Sequence, residues 1–549
     1  MISLSAHHLA QATGGRLHGV DPDTVVDGPV VVDSRKVAAG SLFVALAGEH
    51  VDGAQFASAA LAQGAVLVMA AQPLTDSDGR ALPVLEVADV QRALGDVARW
   101  VLARRREVSP DLKVIAITGS VGKTTTKDLI KHLLGPSDEG SDGAGGRIVA
   151  PVGSFNNEIG LPLTVLTMTE STQFMDMEMG ADKPGDIGYL AGIAPPDVGV
   201  VLRVGTAHLE GFGSRENIAA AKAEMLAQLT PGGVAALNHD DPRVMAMAQP
   251  VLAQGRSVVT WGRGVNVETG QELTTQADVC AHNVHVDAYG RASFTLRVDT
   301  GAIARARGNR GQGLDGLPGQ DGLPGSVGLS GPDGLPVDGE PSQQSGLQEH
   351  RVSLSLVGEH HVANALASAT AALLVGIEPA LIAARLSSAR ADSPHRMAVS
   401  QRTDGITIID DSYNASPEAM RAALKTLVNV ARSGPQARRS VAIVGQMLEL
   451  GQGADQAHEQ VGLDAAALAV DVVLVVGQGA YKTYEAALRQ SSPEAGSSWR
   501  GVPYFADDLD TARADICEIL QPGDVVLVKG SHSTGLWRMA DELSEGRLA

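Results

Sequence analysis

The stretch from Lys113 to Leu134 constrains the fold more than any other part of this 549-residue chain. Lys113 to Thr118 is an apolar run of strand length, Gly119-Ser120-Val121-Gly122 is a glycine turn, and Lys123 to Leu134 has helical spacing. A strand that runs through a glycine turn into a helix opens a βαβ unit, and a nearly all-apolar strand belongs in the middle of a parallel sheet. Backbone N–H groups of such a turn point inward and cradle phosphate oxygens. Lys123 can then reach the β- and γ-phosphates, and the Thr124 hydroxyl can ligate Mg²⁺. The spacing is the short T-G-x-x-G-K-T, because Ile117 stands where the longer G-x-x-x-x-G-K-[ST] pattern needs glycine. A turn that merely caps a helix is the bland alternative. The strand before it and the Gly-Lys-Thr within it favour ATP, held by Gly119, Ser120, Val121, Gly122, Lys123, Thr124 and Thr125.

Around this loop the chain divides into about three domain-sized parts, as its length suggests. In residues 1–108, strand-like runs at Val30 to Asp33, Leu42 to Ala45 and Ala65 to Met69 alternate with helical spacing at Phe56 to Gln63 and before Arg104-Arg105-Arg106. In residues 109–392, apolar runs at Leu163 to Leu166, Val198 to Leu202 and Val234 to Leu237 alternate with helical stretches such as Ile218 to Leu229. That pattern predicts a mainly parallel sheet with helices on both faces. Residues 393–549 repeat it with Thr407 to Ile409, Val441 to Val444, Val472 to Val476 and Val525 to Val528, a Rossmann-like layer structure without G-x-G-x-x-G.

Composition narrows the function classes. The net charge of −20 argues against bulk attraction to nucleic acid or anionic lipid. Two cysteines exclude a disulfide scaffold and a Cys-rich metal site, and suit a reducing cytoplasm. The N-terminus has no basic-then-apolar leader, and no apolar run reaches the ~18 residues of a membrane span. A cytoplasmic monomer that neither inserts into membranes nor binds nucleic acid is the expectation. Glycine is over-represented at 63 of 549 residues, and part of the excess is local. Eight glycines recur at every third position from Gly313 to Gly334, with Leu317-Pro318 and Leu323-Pro324 between them. This collagen-like segment, about 301–346, lies between the alternating stretches Ala292 to Val298 and Val352 to Val357. It reads as a polyproline-biased loop inserted at a hairpin tip.

Three further segments carry chemistry whose meaning stays open in isolation. Asn156-Asn157-Glu158 crowds a loop, where Glu158 is a hard oxygen ligand suited to Mg²⁺ or simply part of a capping turn. His208 follows the strand at Val198 to Leu202, on the edge where open α/β sheets bind ligands, though a lone histidine is usually structural. Lys222 sits in an Ala-rich helix of a chain with 10 Lys against 33 Arg, and by itself reads as a solvated helix face.

Taken together and in order, these pieces resemble the Mur ligases, ATP-dependent amide-forming enzymes of peptidoglycan precursor synthesis. The resemblance runs through all three parts. It is carried by Asp33-Ser34-Arg35 and Gly40 to Leu46, then by Thr118 to Thr124, Phe155 to Gly160, Glu178 to Ala181 and His208 to Gly213. In the last part it rests on Asp410 to Pro417, Leu448 to Gly451 and Val528 to Ser531. It implies a UDP-binding α/β domain, a central P-loop ATPase-like domain and a C-terminal Rossmann-like ligase domain. The Asp410-Asp411-Ser412-Tyr413-Asn414 segment resembles the branch that adds the dipeptide D-alanyl-D-alanine to UDP-N-acetylmuramoyl-tripeptide. The resemblance further implies catalytic roles for Lys123, Lys222 and His208. Thr124, Glu158, His208 and Lys222, the last as a CO₂-derived carbamate, would hold two Mg²⁺ ions. Asn364 would contact adenine, and Arg396 and Asp411 would contact the nucleotide from the third domain. Ser34, Arg35, Asn156, Asn157, Tyr413 and Asn414 would bind substrate. Two departures stand out. His361 occupies a position where the family usually has Asn, which leaves one adenine contact either altered or supplied by His361, and Gln446 stands where an acidic residue is common.

The implied reaction activates a carboxylate as an acyl phosphate with ATP and lets the dipeptide amine displace phosphate, after closure of the domains about a hinge near Ala391 to Pro394. The competing readings are a sibling or folylpolyglutamate-type ligase, a nucleotide-binding protein without catalysis, and an interaction protein built around the Gly-x-y segment.

Overall fold

The computed structural model describes residues 2–48, 51–135, 147–207, 209–308, 346–433, 436–492 and 496–548. His208 and residues 309–345, which contain the whole Gly-x-y run, lie outside them. Three sheets organise the described chain, beside a small ribbon of Leu4–Ser5 and Val25–Val26.

The first sheet has five strands in the order Arg16–His18, Val84–Glu86, Ala65–Ala70, Ser41–Val44, Val30–Val31, all parallel except the first pair. The helix Val90–Val108 joins it to the central part. Asp89 caps that helix by accepting from the Arg92 N–H, and Val90, Ala93, Leu94, Val97, Ala98, Val101 and Leu102 form its buried stripe. These side chains share one core with Leu161 and Val165, and with Ile187 and Leu190. Gly95 allows the close approach, since a Cβ there would lie 2.4 Å from the Tyr189 hydroxyl.

The central sheet has nine strands. From one edge they are Leu347–Val357, Arg291–Asp299, Val279–Val286, Ser257–Gly262, Val234–Asn238, Val198–Val201, Lys113–Thr118, Phe174–Glu178 and Ile148–Val149. All pairings are parallel except the two that involve Arg291–Asp299. The strand Lys113–Thr118 lies where the chain switches direction across the sheet, with Phe174–Glu178 on one side and Val198–Val201 on the other. Register puts Ile117 opposite Glu178 and Thr118 opposite Val201, so the phosphate turn opens at a topological switch point, where α/β sheets form crevices.

The third sheet has six strands in the order Ala398–Gln401, Thr407–Asp410, Val525–Lys529, Ser440–Val444, Val472–Val476, Val502–Ala506. All pairings are parallel beyond the first.

Two sequence expectations change. Leu163 to Leu166, grouped with the strand-like runs, belongs to the helix Gly160–Val165 and its C-cap. The Asn157 side chain accepts from the Gly160 N–H at 2.8 Å and starts a helix whose apolar face a short window cannot tell from a strand. The neighbour of the phosphate strand is instead Phe174–Glu178. The inserted segment also begins later than its composition suggests. Thr300–Gly308 is a helix that buries Ala302, Ile303 and Ala306, so those residues belong to the core. The flanking strands pair antiparallel, with Asp299 opposite Leu347, as the hairpin reading expects. Among the described residues no helix is long and apolar enough to cross a membrane.

Candidate active site

Gly122 begins the helix Lys123–Leu134 in the left-handed region, at φ +86°. A Cβ there would lie 2.5 Å from Asn364 Oδ1, so the turn needs glycine for its backbone and for its neighbour. The turn is pinned to the chain that leaves Val198–Val201. The Ser120 N–H donates to the Arg203 carbonyl at 2.8 Å, and the Gly205 N–H donates to Ser120 Oγ at 2.9 Å. Lys123 folds back to donate to the Gly119 carbonyl at 2.8 Å. Desolvation lowers its pKa, while Glu178 pulls the other way.

The Thr124 hydroxyl donates to Glu178 Oε2 at 2.9 Å and lies 3.2 Å from Ser154 Oγ. Glu178 is buried, and its other oxygen accepts from Asn156 Nδ2 at 2.7 Å. These oxygens form a hard-donor set suited to Mg²⁺. Glu178 carries no role in its sequence motif alone; its signal is its place, an acid at the C-terminal end of the strand beside the phosphate strand. Glu158 is exposed and lies with Lys123, Asn156, Asp182 and Lys183 around a cavity of about 210 Å³. Asn157 lines the same cavity while capping the next helix. Asp176 precedes Glu178 by two residues on the same strand. It is fully buried and neither of its oxygens has a hydrogen-bond partner, and burial raises its pKa well above the usual carboxylate range.

Lys222 lies on the helix Arg215–Ala227 and is buried, not on a solvated face. Burial first, and then the charge of Lys123, lower its pKa to about 7. The amine therefore sits close to Lys123 and is substantially neutral at physiological pH.

The helix His361–Leu374 presents Asn364 to Gly122. Asn364 Nδ2 lies 3.2 Å from His361 Nδ1, and His361 Nε2 is buried without a partner. Burial and then the neighbouring His360 hold the His361 pKa well below its ordinary value, so the ring is neutral. His361, Thr125 and Arg396 line one small crevice with Asp128 and Ser393.

Arg396 crosses from the third part and donates to Ser154 Oγ at 2.9 Å, and its guanidinium lies 4.2 Å from the Tyr413 ring centroid. The Ser393 hydroxyl donates to Asp128 at 2.6 Å, and Lys131 pairs with Asp392 at 3.1 Å. Glu418 accepts from the Thr206 N–H at 3.0 Å. Asp411 Oδ2 is paired with Lys529 at 2.6 Å, and the exposed Asn414 offers its carbonyl to the same ammonium. Ser34 and Arg35 lie apart, in a turn after the first sheet's edge strand, where Arg35 is paired with Asp33 at 2.9 Å.

Three family models cover most of the chain: "Mur ligase family, catalytic domain" over residues 29–100, "Mur ligase middle domain" over 117–299 and "Mur ligase, glutamate ligase domain" over 395–532. The UDP-N-acetylmuramoyl-tripeptide–D-alanyl-D-alanine ligase of Mycobacterium tuberculosis is 37% identical, covering 99% of this chain and 98% of that protein. The Escherichia coli protein of the same name is 31% identical over 99% of both. Among solved structures, MurF from Acinetobacter baumannii matches with a TM-score of 0.76 at 27% identity, over 99% of both chains. MurF ligase from Thermotoga maritima, in complex with ADP, matches with a TM-score of 0.67 at 26% identity, over 95% of this chain and 98% of that one. With relatives of this identity along nearly its whole length, the chain belongs to the Mur ligase family.

Proposed function

We propose that this protein joins D-alanyl-D-alanine to UDP-N-acetylmuramoyl-tripeptide at the expense of ATP, releasing ADP and phosphate. The observation that carries the reading is the meeting, at one sheet edge, of the phosphate turn, the Thr124–Glu178 pair and the buried Lys222, with Arg396 reaching in from the third part.

The backbone N–H groups of the Gly119 to Gly122 turn cradle the phosphates of ATP, and Lys123 moves from the Gly119 carbonyl to the β- and γ-phosphate oxygens. Asn364 and the partnerless Nε2 of neutral His361 face the adenine, and Arg396 and Asp411 approach the nucleotide from the third part. Thr124, Glu178 and Ser154 would hold one Mg²⁺, and His208 together with Lys222 as a carbamate would hold a second; such ions would neutralise charge spread over the transferring phosphoryl group. Carbamylation fits Lys222 because the neutral amine is the form that adds CO₂, and a pKa of about 7 supplies it. The neutral amine adds CO₂ and releases one proton, which leaves a buried anion with two ligating oxygens.

The tripeptide carboxylate attacks the γ-phosphorus in line, forming an acyl phosphate and ADP. The dipeptide amine then attacks the acyl carbon, the tetrahedral intermediate expels phosphate, and the ammonium proton passes to solvent or base. Water would hydrolyse the acyl phosphate, so contacts such as Arg396–Ser154, Ser393–Asp128 and Glu418–Thr206, which hold the third part over the loop, serve to exclude it. Tripeptide labelled with ¹⁸O in its terminal carboxylate tests the route. One labelled oxygen should appear in the released phosphate, and unlabelled phosphate would refute the acyl phosphate.

A further inference from the structure

The Val528 to Ser531 segment has no role in the reaction as described so far, yet it contains one of the largest fully buried side chains, Lys529, which is 2% exposed. Lys529 ends the strand Val525–Lys529, next to Thr407–Asp410. Its ammonium donates to Asp411 Oδ2 at 2.6 Å, to the Asn414 carbonyl at 2.8 Å and to the Asp411 carbonyl at 3.3 Å. All three acceptors belong to the turn that follows Asp410. Three donated bonds complete the capacity of an ammonium, and the carboxylate supplies the counter-charge that burial requires.

That turn is bonded in its turn to the connection between the second and third parts. Asp411 Oδ1 accepts from the Met397 N–H at 3.2 Å, and the Tyr413 N–H donates to the His395 carbonyl at 3.1 Å. His395 and Met397 both hold positive φ, +58° and +53°, a conformation that non-glycine residues keep only when their surroundings impose it. Between them, Arg396 is aimed at Ser154, which touches Thr124 of the phosphate turn. A continuous path of hydrogen bonds and one backbone segment thus leads from Lys529 through Asp411 and residues 395–397 to the nucleotide loop. The same pair lies near His360, whose titration responds to both charges.

We propose that Lys529 is a positioning residue for ligation, holding the Asp411 carboxylate and the 395–397 backbone in the conformation that receives the nucleotide. The proposal rests on the reading that Asp411 contacts ATP. Lys529 touches neither substrate nor reacting atoms in this role. Its effect reaches ATP through the set of Asp411 and the aim of Arg396.

The test compares the full-length chain with Lys529→Met, Asp411→Asn and the double variant. It measures steady-state ligation with ATP varied, ligation with the UDP-tripeptide varied, and the rise in melting temperature on adding ADP. The expectation for Lys529→Met is an ATP KM raised about tenfold or more, a kcat reduced less than about threefold, a UDP-tripeptide KM within about twofold and loss of the ADP-induced shift. The double variant should be no worse than Asp411→Asn by more than about twofold, because both changes remove one contact. If Lys529→Met leaves the half-buried Asp411 carboxylate unpaired and fails to fold, the double variant, which carries no such charge, decides through that comparison. A purely structural lysine would lower the melting temperature and leave the ATP KM and the ADP shift at wild-type values, which overturns the proposal. An unchanged ATP KM in Asp411→Asn overturns the reading beneath it. An effect of Asp411→Asn without one of Lys529→Met keeps that reading and overturns the positioning role alone.

Discussion

Single residues show how burial converts an ordinary side chain into a chemical one. Lys222 on a solvated helix would be a permanent cation, whereas in this fold it is an amine with a pKa of about 7 beside Lys123. Replacing it with Ala should reduce ligation by about 100-fold or more, as expected for loss of transition-state charge stabilisation, and bicarbonate should not restore it. In the wild-type protein, CO₂-depleted buffer should lower activity and bicarbonate should recover it, with the dependence steepening below pH about 7 as the amine protonates. Asp176 shifts in the opposite direction. Its pKa is raised in the folded chain, so between the unfolded carboxylate value and the folded one the native state binds the extra proton. Stability therefore falls as pH rises through that window. Asp176→Asn should flatten this slope in melting temperature against pH, and an unaltered slope would show that Asp176 is ionised. Gly122→Ala places a methyl group against Asn364 at φ +86°. It should cost about 1–2 kcal/mol in stability and weaken ATP binding, read by thermal melting with and without nucleotide.

Legibility in the sequence depended on whether an element announces itself locally. The strand Lys113–Thr118 and the helix Lys123–Leu134 were fully readable, because apolar runs, glycine turn and helical spacing all agreed. The helix Gly160–Val165 was not, since six residues are too few to separate periods of 3.6 and 2. Phe174–Glu178 hid for another reason: its Asp176 and Glu178 make a buried strand look polar, and only the neighbouring Thr124 gives Glu178 a purpose. Asn364, Arg396 and Lys222 were nameable through family resemblance. What burial does to each of them was not, because it depends on how separate elements pack around them. The hairpin of Arg291–Asp299 and Leu347–Val357, with the helix Thr300–Gly308 packed beneath it, completes its pairing without the Gly-x-y run. Replacing residues 309–345 with a short Gly-Ser linker should leave turnover within about twofold of wild type, since long surface insertions change loop entropy only slowly. A large loss would place that segment at the site.

At the scale of the whole molecule, the three sheets do not contribute equally. The helix Val90–Val108 merges the first sheet's core with the central one, so these two parts share a single hydrophobic cluster. The third part meets the central sheet largely through polar contacts, Arg396–Ser154, Ser393–Asp128, Lys131–Asp392, Glu418–Thr206 and Lys425–Glu359, with Val357 of the central sheet's edge strand packed into the third part's apolar cluster. A broad apolar junction on one side and a largely hydrogen-bonded one on the other suit a molecule whose third part moves over the site while the rest holds its shape. The glycine excess takes its place here too. Some of it serves the phosphate turn and close helix packing, and part lies in the Gly-x-y run of the sequence, which contains none of the residues assigned to the site. The identity of the reaction is tested most directly by ATP-dependent phosphate release with UDP-N-acetylmuramoyl-tripeptide, lysine- or diaminopimelate-containing, as donor. The acceptors to compare are D-alanyl-D-alanine and single amino acids, with folate plus glutamate as a separate pair. Release that requires the tripeptide and D-alanyl-D-alanine together, with a pentapeptide product by mass, is the predicted result. Equal or greater release with a single amino acid or with folate, or ATP binding with no ligation under any combination, would contradict it.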